Sequence, residues 1–307
     1  MQTASTVLMI EPVAFGYNEQ TALNNYFQVE QTGNDIQEKA LGEFRNFVEK
    51  LRSKGINVIV VKDTPEPHTP DSIFPNNWVS FHPDGMVRLY PMFAPNRRVE
   101  RRPDILERLK ADGFKIENVE DYSHYENENK FLEATGSIIF DHDYKIAYGS
   151  VSMRLDEGLF RELCDKMGYT PVVFHSYQNA DGERLPIYHT NVMMCVADGF
   201  VVICLDCIDS ELEREKVQEV IKSTNKEIIE ISEDQLQQFA GNMLQVQSED
   251  GKKYLVMSQT AHQSLNAEQI EKIRKYCEIL SADLATIETN GGGSARCMLA
   301  EVFLPKV

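Results

Sequence analysis

Three residue types able to do covalent chemistry stand in unusual company along this 307-residue chain. Cys297 ends the stretch Asn290-Gly291-Gly292-Gly293-Ser294-Ala295-Arg296-Cys297. Glycines let a ligand approach the backbone closely, and a cationic neighbour such as Arg296 favours a thiolate. His189, in Pro186-Ile187-Tyr188-His189-Thr190-Asn191, has the side chain best suited to accept and return a proton near neutral pH. Glu133, in Phe131-Leu132-Glu133-Ala134-Thr135-Gly136-Ser137, follows an apolar pair, a poor place for a carboxylate unless it is paired. A thiol, an imidazole and a carboxylate are the parts of a nucleophile, its acid/base partner and an orienting group. Each residue alone also reads as a buried cysteine, a satisfied histidine or a solvated strand end. A fourth stretch, Pro70-Asp71-Ser72-Ile73-Phe74-Pro75-Asn76-Asn77-Trp78, brings polar side chains and the only tryptophan to the start of an apolar run, although aspartate and asparagine also suit ordinary turns.

The elements that must position these groups repeat. Asp35 to Arg52 is apolar at helical spacing, stops at Gly55, and precedes the strand Val58 to Val61. Helix-then-strand phrases recur at Pro103–Lys110 with Phe114–Val119, Asp156–Met167 with Pro171–Phe174, Ser210–Lys222 with Ile228–Ile231, and Ala267–Ile279 with Leu284–Ile287. Between them lie hairpins turning near Asp84-Gly85, Asp141-His142-Asp143, Asp198-Gly199 and Asp250-Gly251. Val7 to Ile10 and Met298 to Leu304 read as the first and last strands. The fold class is α/β. Its units of hairpin, helix and strand predict a five-bladed α/β propeller rather than an all-parallel doubly wound sheet. Residues 1–307 read as a single domain. In such a ring Asp71, Glu133, His189 and Cys297, each just ahead of a hairpin or final strand, all point into one channel. The segment Phe15 to Asn25 reads as a loop and is a candidate lid.

Composition narrows the function. The formal charge of −17 argues against non-specific binding to nucleic acid or an anionic membrane. No apolar run reaches the ~20 residues that span a bilayer, and the start of the chain lacks a basic leader. Six cysteines without disulfide-framework spacing point to reduced thiols and a cytoplasmic setting. Cys204-Leu205-Asp206-Cys207 lacks a second pair for zinc and reads as core.

Taken together, Pro70-Asp71 through Trp78, Ala94-Pro95-Asn96-Arg97-Arg98, Leu132-Glu133 through Ser137, His189-Thr190-Asn191 and Gly291 through Cys297 make the chain resemble the guanidino-group-modifying superfamily of pentein fold. That superfamily includes arginine deiminases, dimethylarginine hydrolases and glycine amidinotransferases. The chain is most similar to amidinotransferase-like proteins associated with citrulline use. The resemblance implies that Cys297 attacks the guanidino or ureido carbon, that His189 is the acid/base, and that Glu133 holds it. It implies that Asp71 binds the substrate nitrogens, that Arg97 meets the substrate carboxylate, and that Arg154 supplies a second arginine. It implies no metal and no cofactor, and an amino-acid substrate as the partner. A homo-oligomer is left open. Asn77 and Asn191 stand where many arginine-acting relatives carry aspartate. Fewer carboxylates suit a neutral ureido group such as citrulline's better than a guanidinium. The expected activity is hydrolysis with release of ammonia from a citrulline- or arginine-like amino acid. Transfer of an amidino group to an amine, and non-catalytic binding of a small molecule on the same scaffold, are the alternatives.

Overall fold

The computed structural model describes every residue except Thr32, Asn34, Asp181 and Val307. Its strands fall into five three-stranded sheets of one pattern and one two-stranded hairpin. In Val79–Phe81, Met86–Leu89 and Asn118–Asp121, the first two strands are antiparallel and the third lies parallel to the second. The same order holds for Ile138–Asp141, Ile146–Ser150 and Thr170–Phe174, and for Met194–Val196, Phe200–Ile203 and Glu227–Glu230. It holds again for Leu244–Gln247, Lys253–Ser258 and Glu278–Ala282. The remaining sheet joins the two ends of the chain: Thr6–Glu11 pairs antiparallel with Ala300–Glu301 and parallel with Asn57–Lys62.

A parallel partner requires a crossover, and a helix supplies it in every sheet. These are Ile36–Ser53, Pro103–Ala111, Glu157–Met167, Glu211–Ser223, and the pair Gln259–Ser264 and Ala267–Arg274. The first buries Ala40, Phe44, Phe47, Val48 and Leu51 on one face, as its spacing predicts. Gly168 ends the third in the left-handed conformation, at φ 68°. Ser210 caps the fourth by accepting from the Glu213 amide.

The structure corrects several sequence expectations. Leu284 to Ile287 is not a strand. The third strand of that unit is Glu278–Ala282, and Ala285–Gly291 is a helix. Leu284 and Ile287 lie three apart and both are buried, which a helical turn satisfies as well as a buried strand does. The strand placed at Phe114 to Val119 lies at Asn118–Asp121. The long final strand reduces to Ala300–Glu301, because Ala295–Met298 forms a tight 3-10 turn. Phe15 to Asn25 contains a short helix, Glu19–Ala22, capped by Asn18. The hairpin of Tyr177–Ala180 with Glu183–Pro186 was not anticipated. Cys204 and Cys207 are core residues, with sulfurs 3.0 Å apart. Among the described residues no helix is long and apolar enough to cross a membrane.

One regularity positions the site. A tight turn precedes the first strand of each sheet. Pro75–Asn77 touches both Ala134–Ser137 and Ala295–Met298, and Ala134–Ser137 touches Thr190–Val192. Asn242, ahead of Leu244–Gln247, closes the circle: its amide nitrogen donates to the Asn191 carbonyl (3.0 Å) and its oxygen accepts from the Arg296 amide (3.0 Å).

Candidate active site

These turns carry most of the chemistry-bearing side chains. Cys297 lies within Ala295–Met298, His189 and Glu133 immediately precede Thr190–Val192 and Ala134–Ser137, and Asp71 precedes Pro75–Asn77. Cys297, His189, Asp71, Asn77, Arg97 and Arg154 all line one cavity. Its volume is ≈ 10 Å3, about the room one water needs and far below the ~300–1,000 Å3 of ordinary ligand clefts. Glu133 stands behind the imidazole, and Asn191 reaches the sulfur.

The Glu133–His189 pair is close and fully buried. Glu133 Oε2 lies 2.7 Å from His189 Nε2, while Oε1 accepts from the Phe93 amide at 2.9 Å. Burial pushes the Glu133 carboxyl up, but Arg154, 3.5 Å away, and His189 outweigh it and hold the group down at about 2. Burial lowers the imidazole to about 4, against the pull of Glu133. At neutral pH the carboxylate is therefore charged and the ring neutral. The ring donates from Nε2 to Glu133 and leaves Nδ1 as the free base.

Both shifts make the fold acid-sensitive. The unfolded chain takes a proton on His189 near 6.5, whereas the folded ring resists until about 4, so this contribution to stability is complete above 6.5 and lost as pH falls towards 4. The Glu133 contribution is complete above 4.5 and fades towards 2. Melting temperature followed from pH 7 to 4 is expected to fall, and to fall less steeply in His189→Gln.

Cys297 Sγ receives two amides: Asn242 Nδ2 at 3.2 Å and Asn191 Nδ2 at 3.5 Å. Arg296, expected beside the thiol, is engaged elsewhere, donating to the Leu299 carbonyl (2.8 Å) and pairing with Glu301 (3.0 Å). Sequence reasoning missed Asn242. The signal was the repeat itself, because Asn77, Asn191, Asn242 and Cys297 each stand two or three residues ahead of the first strand of a sheet.

Arg97 is held on every side. Its guanidinium forks onto Glu100 (2.9 and 2.9 Å) and donates to Asn77 Oδ1 (2.7 Å) and the Phe74 carbonyl (3.1 Å). Asp71 Oδ2 accepts from Asn18 (2.7 Å) and Thr21 (3.0 Å), and burial raises this carboxyl against the attraction of Arg97. Its other oxygen, Oδ1, is buried with no hydrogen-bond partner among the described residues.

The segment from Asn18 to Val29 closes over these groups. Arg154 donates to Asn24 Oδ1 (2.9 and 2.6 Å) and to the Thr21 carbonyl (3.0 Å). Asn25 donates to the Gly292 carbonyl (3.2 Å), and Tyr188 Oη donates to the same oxygen (2.7 Å). Gly292 has φ +60°, and a Cβ there would lie 2.5 Å from Asn25 Nδ2. Gly136 is as constrained: a Cβ would lie 2.3 Å from Asn77 Nδ2 and 2.9 Å from His189 Cε1. Gly136→Ala is expected to displace the imidazole, lowering kcat/KM at least ~10-fold with a stability loss of ~1–3 kcal/mol. Steady-state kinetics and thermal melts check it.

A family profile described as N,N dimethylarginine dimethylhydrolase, eukaryotic, matches residues 11–304. The chain belongs to this family. Its members, within the pentein superfamily that the motifs suggested, are hydrolases acting on C–N bonds of guanidino groups. Among solved structures, the chain is similar to apo ArgZ, an arginine dihydrolase from the ornithine-ammonia cycle in cyanobacteria, with a TM-score of 0.74 at 16% identity, covering 98% of this chain and 41% of that one. It spans well under half of full-length ArgZ but 99% of the ArgZ N-terminal domain, solved as an asparagine-to-serine variant covalently bound to a reaction intermediate, with a TM-score of 0.73 at 16% identity over 98% of this chain. Dimethylarginine dimethylaminohydrolase, solved as the adduct of a histidine-to-glycine variant with S-methyl-L-thiocitrulline, is similar at a TM-score of 0.60 and 16% identity, covering 97% of this chain and 99% of that one. At these identities the structural likeness establishes the fold. No curated protein matches the chain in sequence.

Proposed function

We propose that this chain is a cysteine-dependent hydrolase of the ureido or guanidino group of a free amino acid, with citrulline favoured over arginine. The observation that carries the proposal is the unpaired, buried Asp71 Oδ1 in the wall of the cavity that also holds Cys297 and His189. A buried oxygen without a donor is costly, and a substrate N–H would satisfy it. Among the described residues Asp71 is the only carboxylate lining the cavity, where Arg97 and Arg154 supply two cations. That balance suits a neutral ureido group better than a third cation. The likeness to ArgZ favours arginine as the second reading.

In the proposed reaction His189 Nδ1 takes the Cys297 thiol proton as the sulfur adds to the ureido carbon. His189 passes that proton to the departing nitrogen, ammonia leaves, and a covalent thiocarbamate remains. His189 then deprotonates a water that attacks this intermediate and releases the thiol. The resulting carbamate falls apart to ornithine and carbon dioxide, so citrulline and one water give ornithine, ammonia and carbon dioxide. Asn191 and Asn242 hold the sulfur, and Glu133 fixes the imidazole. Arg97 keeps Asp71 and Asn77 in place, and Arg154 with the covering segment meets the amino-acid end of the substrate. The circle of contacting turns supports a closed five-bladed propeller in which residues 1–307 act as one domain. Segment Asn18 to Val29 acts as a lid, because the cavity is too narrow to fill without its displacement.

Purified protein incubated with citrulline, and separately with arginine, is expected to release ammonia and ornithine faster from citrulline. Ammonia from arginine with none from citrulline overturns the substrate choice, and amidino transfer to added glycine overturns hydrolysis. Asp71→Asn keeps the shape but replaces the acceptor charge, and is expected to lower kcat/KM by roughly 10- to 100-fold, as loss of a charge-assisted hydrogen bond would.

A further inference from the structure

A second cavity, apart from the residues of the catalytic one, is lined by Arg88, Lys145 and Lys166 with His82, His142 and Tyr169, and has a volume of ≈ 250 Å3. In a chain with 48 acidic and 31 basic side chains, this lining reverses the balance: among the described residues Asp84 is its one acid. Asp84 is turned to its own hairpin, accepting from the Met86 amide at 3.0 Å.

Two of the cations are under-used. Arg88 is 5% exposed. It forms an ion pair with Glu120 through Nε at 2.9 Å, but Nε is buried without an aligned hydrogen bond, and the rest of the guanidinium makes none among the described residues. A buried guanidinium with free N–H groups calls for acceptors. Lys145 makes no ion pair among the described residues; it donates a long hydrogen bond to Tyr169 Oη (3.5 Å) and sits 4.6 Å from that ring's centroid. Lys166, by contrast, is paired with Glu162 at 2.8 Å. The two histidines add no charge to the wall. His82 bonds Ser80 through Nε2 (2.7 Å) and His142 bonds Tyr169 through Nδ1 (2.7 Å). Burial first, and then the neighbouring cations, hold both rings neutral, His142 at about 3.

We propose that this cavity binds a small oxyanion, phosphate or carboxylate, through the Arg88 guanidinium and the Lys145 ammonium. Arginine suits the planar, two-oxygen face of such an anion, and lysine adds a mobile point charge at the rim. The site is separate from the proposed chemistry, so its test reads binding rather than turnover.

Thermal melts of the full chain in inorganic phosphate, in succinate, and in chloride at matched ionic strength test it. Phosphate or succinate is expected to raise Tm by ~2–4 °C over chloride, and the stronger of the two identifies the oxyanion. Lys145→Asn, which suits the positive φ of 54° at that position, and Arg88→Met are each expected to remove the rise. Lys145→Asn is a surface change and keeps the test decisive should Arg88→Met fail to fold. Equal melts in all three salts overturn the proposal. So does a rise that survives Lys145→Asn and disappears in Arg154→Gln, which would put the anion in the catalytic cavity instead.

Discussion

Cys297→Ala is expected to abolish ammonia release, lowering kcat by on the order of 10^4-fold or more, because loss of the nucleophile removes the covalent route altogether. Its effect on stability should be small. The change removes a single atom: the side chain is 3% exposed within an apolar cluster that includes Phe74, Ala295 and Met298, and its sulfur is touched by two amides. Asn242 Nδ2 keeps the Asn191 carbonyl as acceptor, whereas Asn191 Nδ2 loses the one acceptor it has among the described residues. The variant should melt within a few degrees of the wild type and still bind substrate, since Asp71, Arg97 and Arg154 are untouched. Calorimetric titration with citrulline and a coupled ammonia assay check both halves. Full activity in Cys297→Ala would refute the covalent proposal outright. Asn242→Ala separates the nucleophile from its support: a fall in kcat with little change in KM is expected.

The second large effect is at the imidazole. His189→Gly removes the group that carries the proton in both halves of the proposed reaction, and turnover should drop by ~10^2–10^4-fold. The two halves do not suffer equally. A substrate whose leaving group departs without protonation, such as S-methyl-L-thiocitrulline, should still react with the Cys297 sulfur. Water activation would then fail, so an adduct should accumulate and be visible by intact-protein mass spectrometry. Dimethylarginine dimethylaminohydrolase forms such an adduct in its own histidine variant. Rapid turnover of this substrate by His189→Gly would show that another group activates the water.

Much of this arrangement could be read from one dimension, and for a physical reason. Helices that pack on one face must repeat their apolar residues every three or four positions, and Phe44, Phe47, Val48 and Leu51 do so. Hairpins need special turn residues, and Asp-Gly supplies them. Glu133 and His189 were legible because a carboxylate and an imidazole beside apolar strands demand a partner, and each is the other's. What escaped was set by distant contacts. Nothing local distinguishes Asn242 from turn chemistry, since its partners are the Asn191 carbonyl, the Arg296 amide and the Cys297 sulfur. The resemblance assigns Arg97 to the substrate carboxylate, but that Glu100, three residues on, also grips its guanidinium could not be read from the motif. Asn18, Thr21 and Asn24 look like loop residues until Asp71 and Arg154 are brought against them. Leu284 and Ile287 failed for a different reason: a short apolar run fits two geometries, and only packing chooses.

The sheet that joins Thr6–Glu11 to Ala300–Glu301 has a consequence for how activity begins. Cys297, the proposed nucleophile, stands three residues before a strand whose only ladder partner among the described residues is Thr6–Glu11. During synthesis the histidine, the glutamate and the aspartate can all be in place while the sulfur has yet to leave the ribosome. Pairing across nearly the entire length of the chain is slow to nucleate. On the proposed reaction, a growing chain stays inert until Ala300–Glu301 is made and pairs, and a protein trimmed before Ala300 would keep four of its three-stranded sheets while leaving the thiol without its seat.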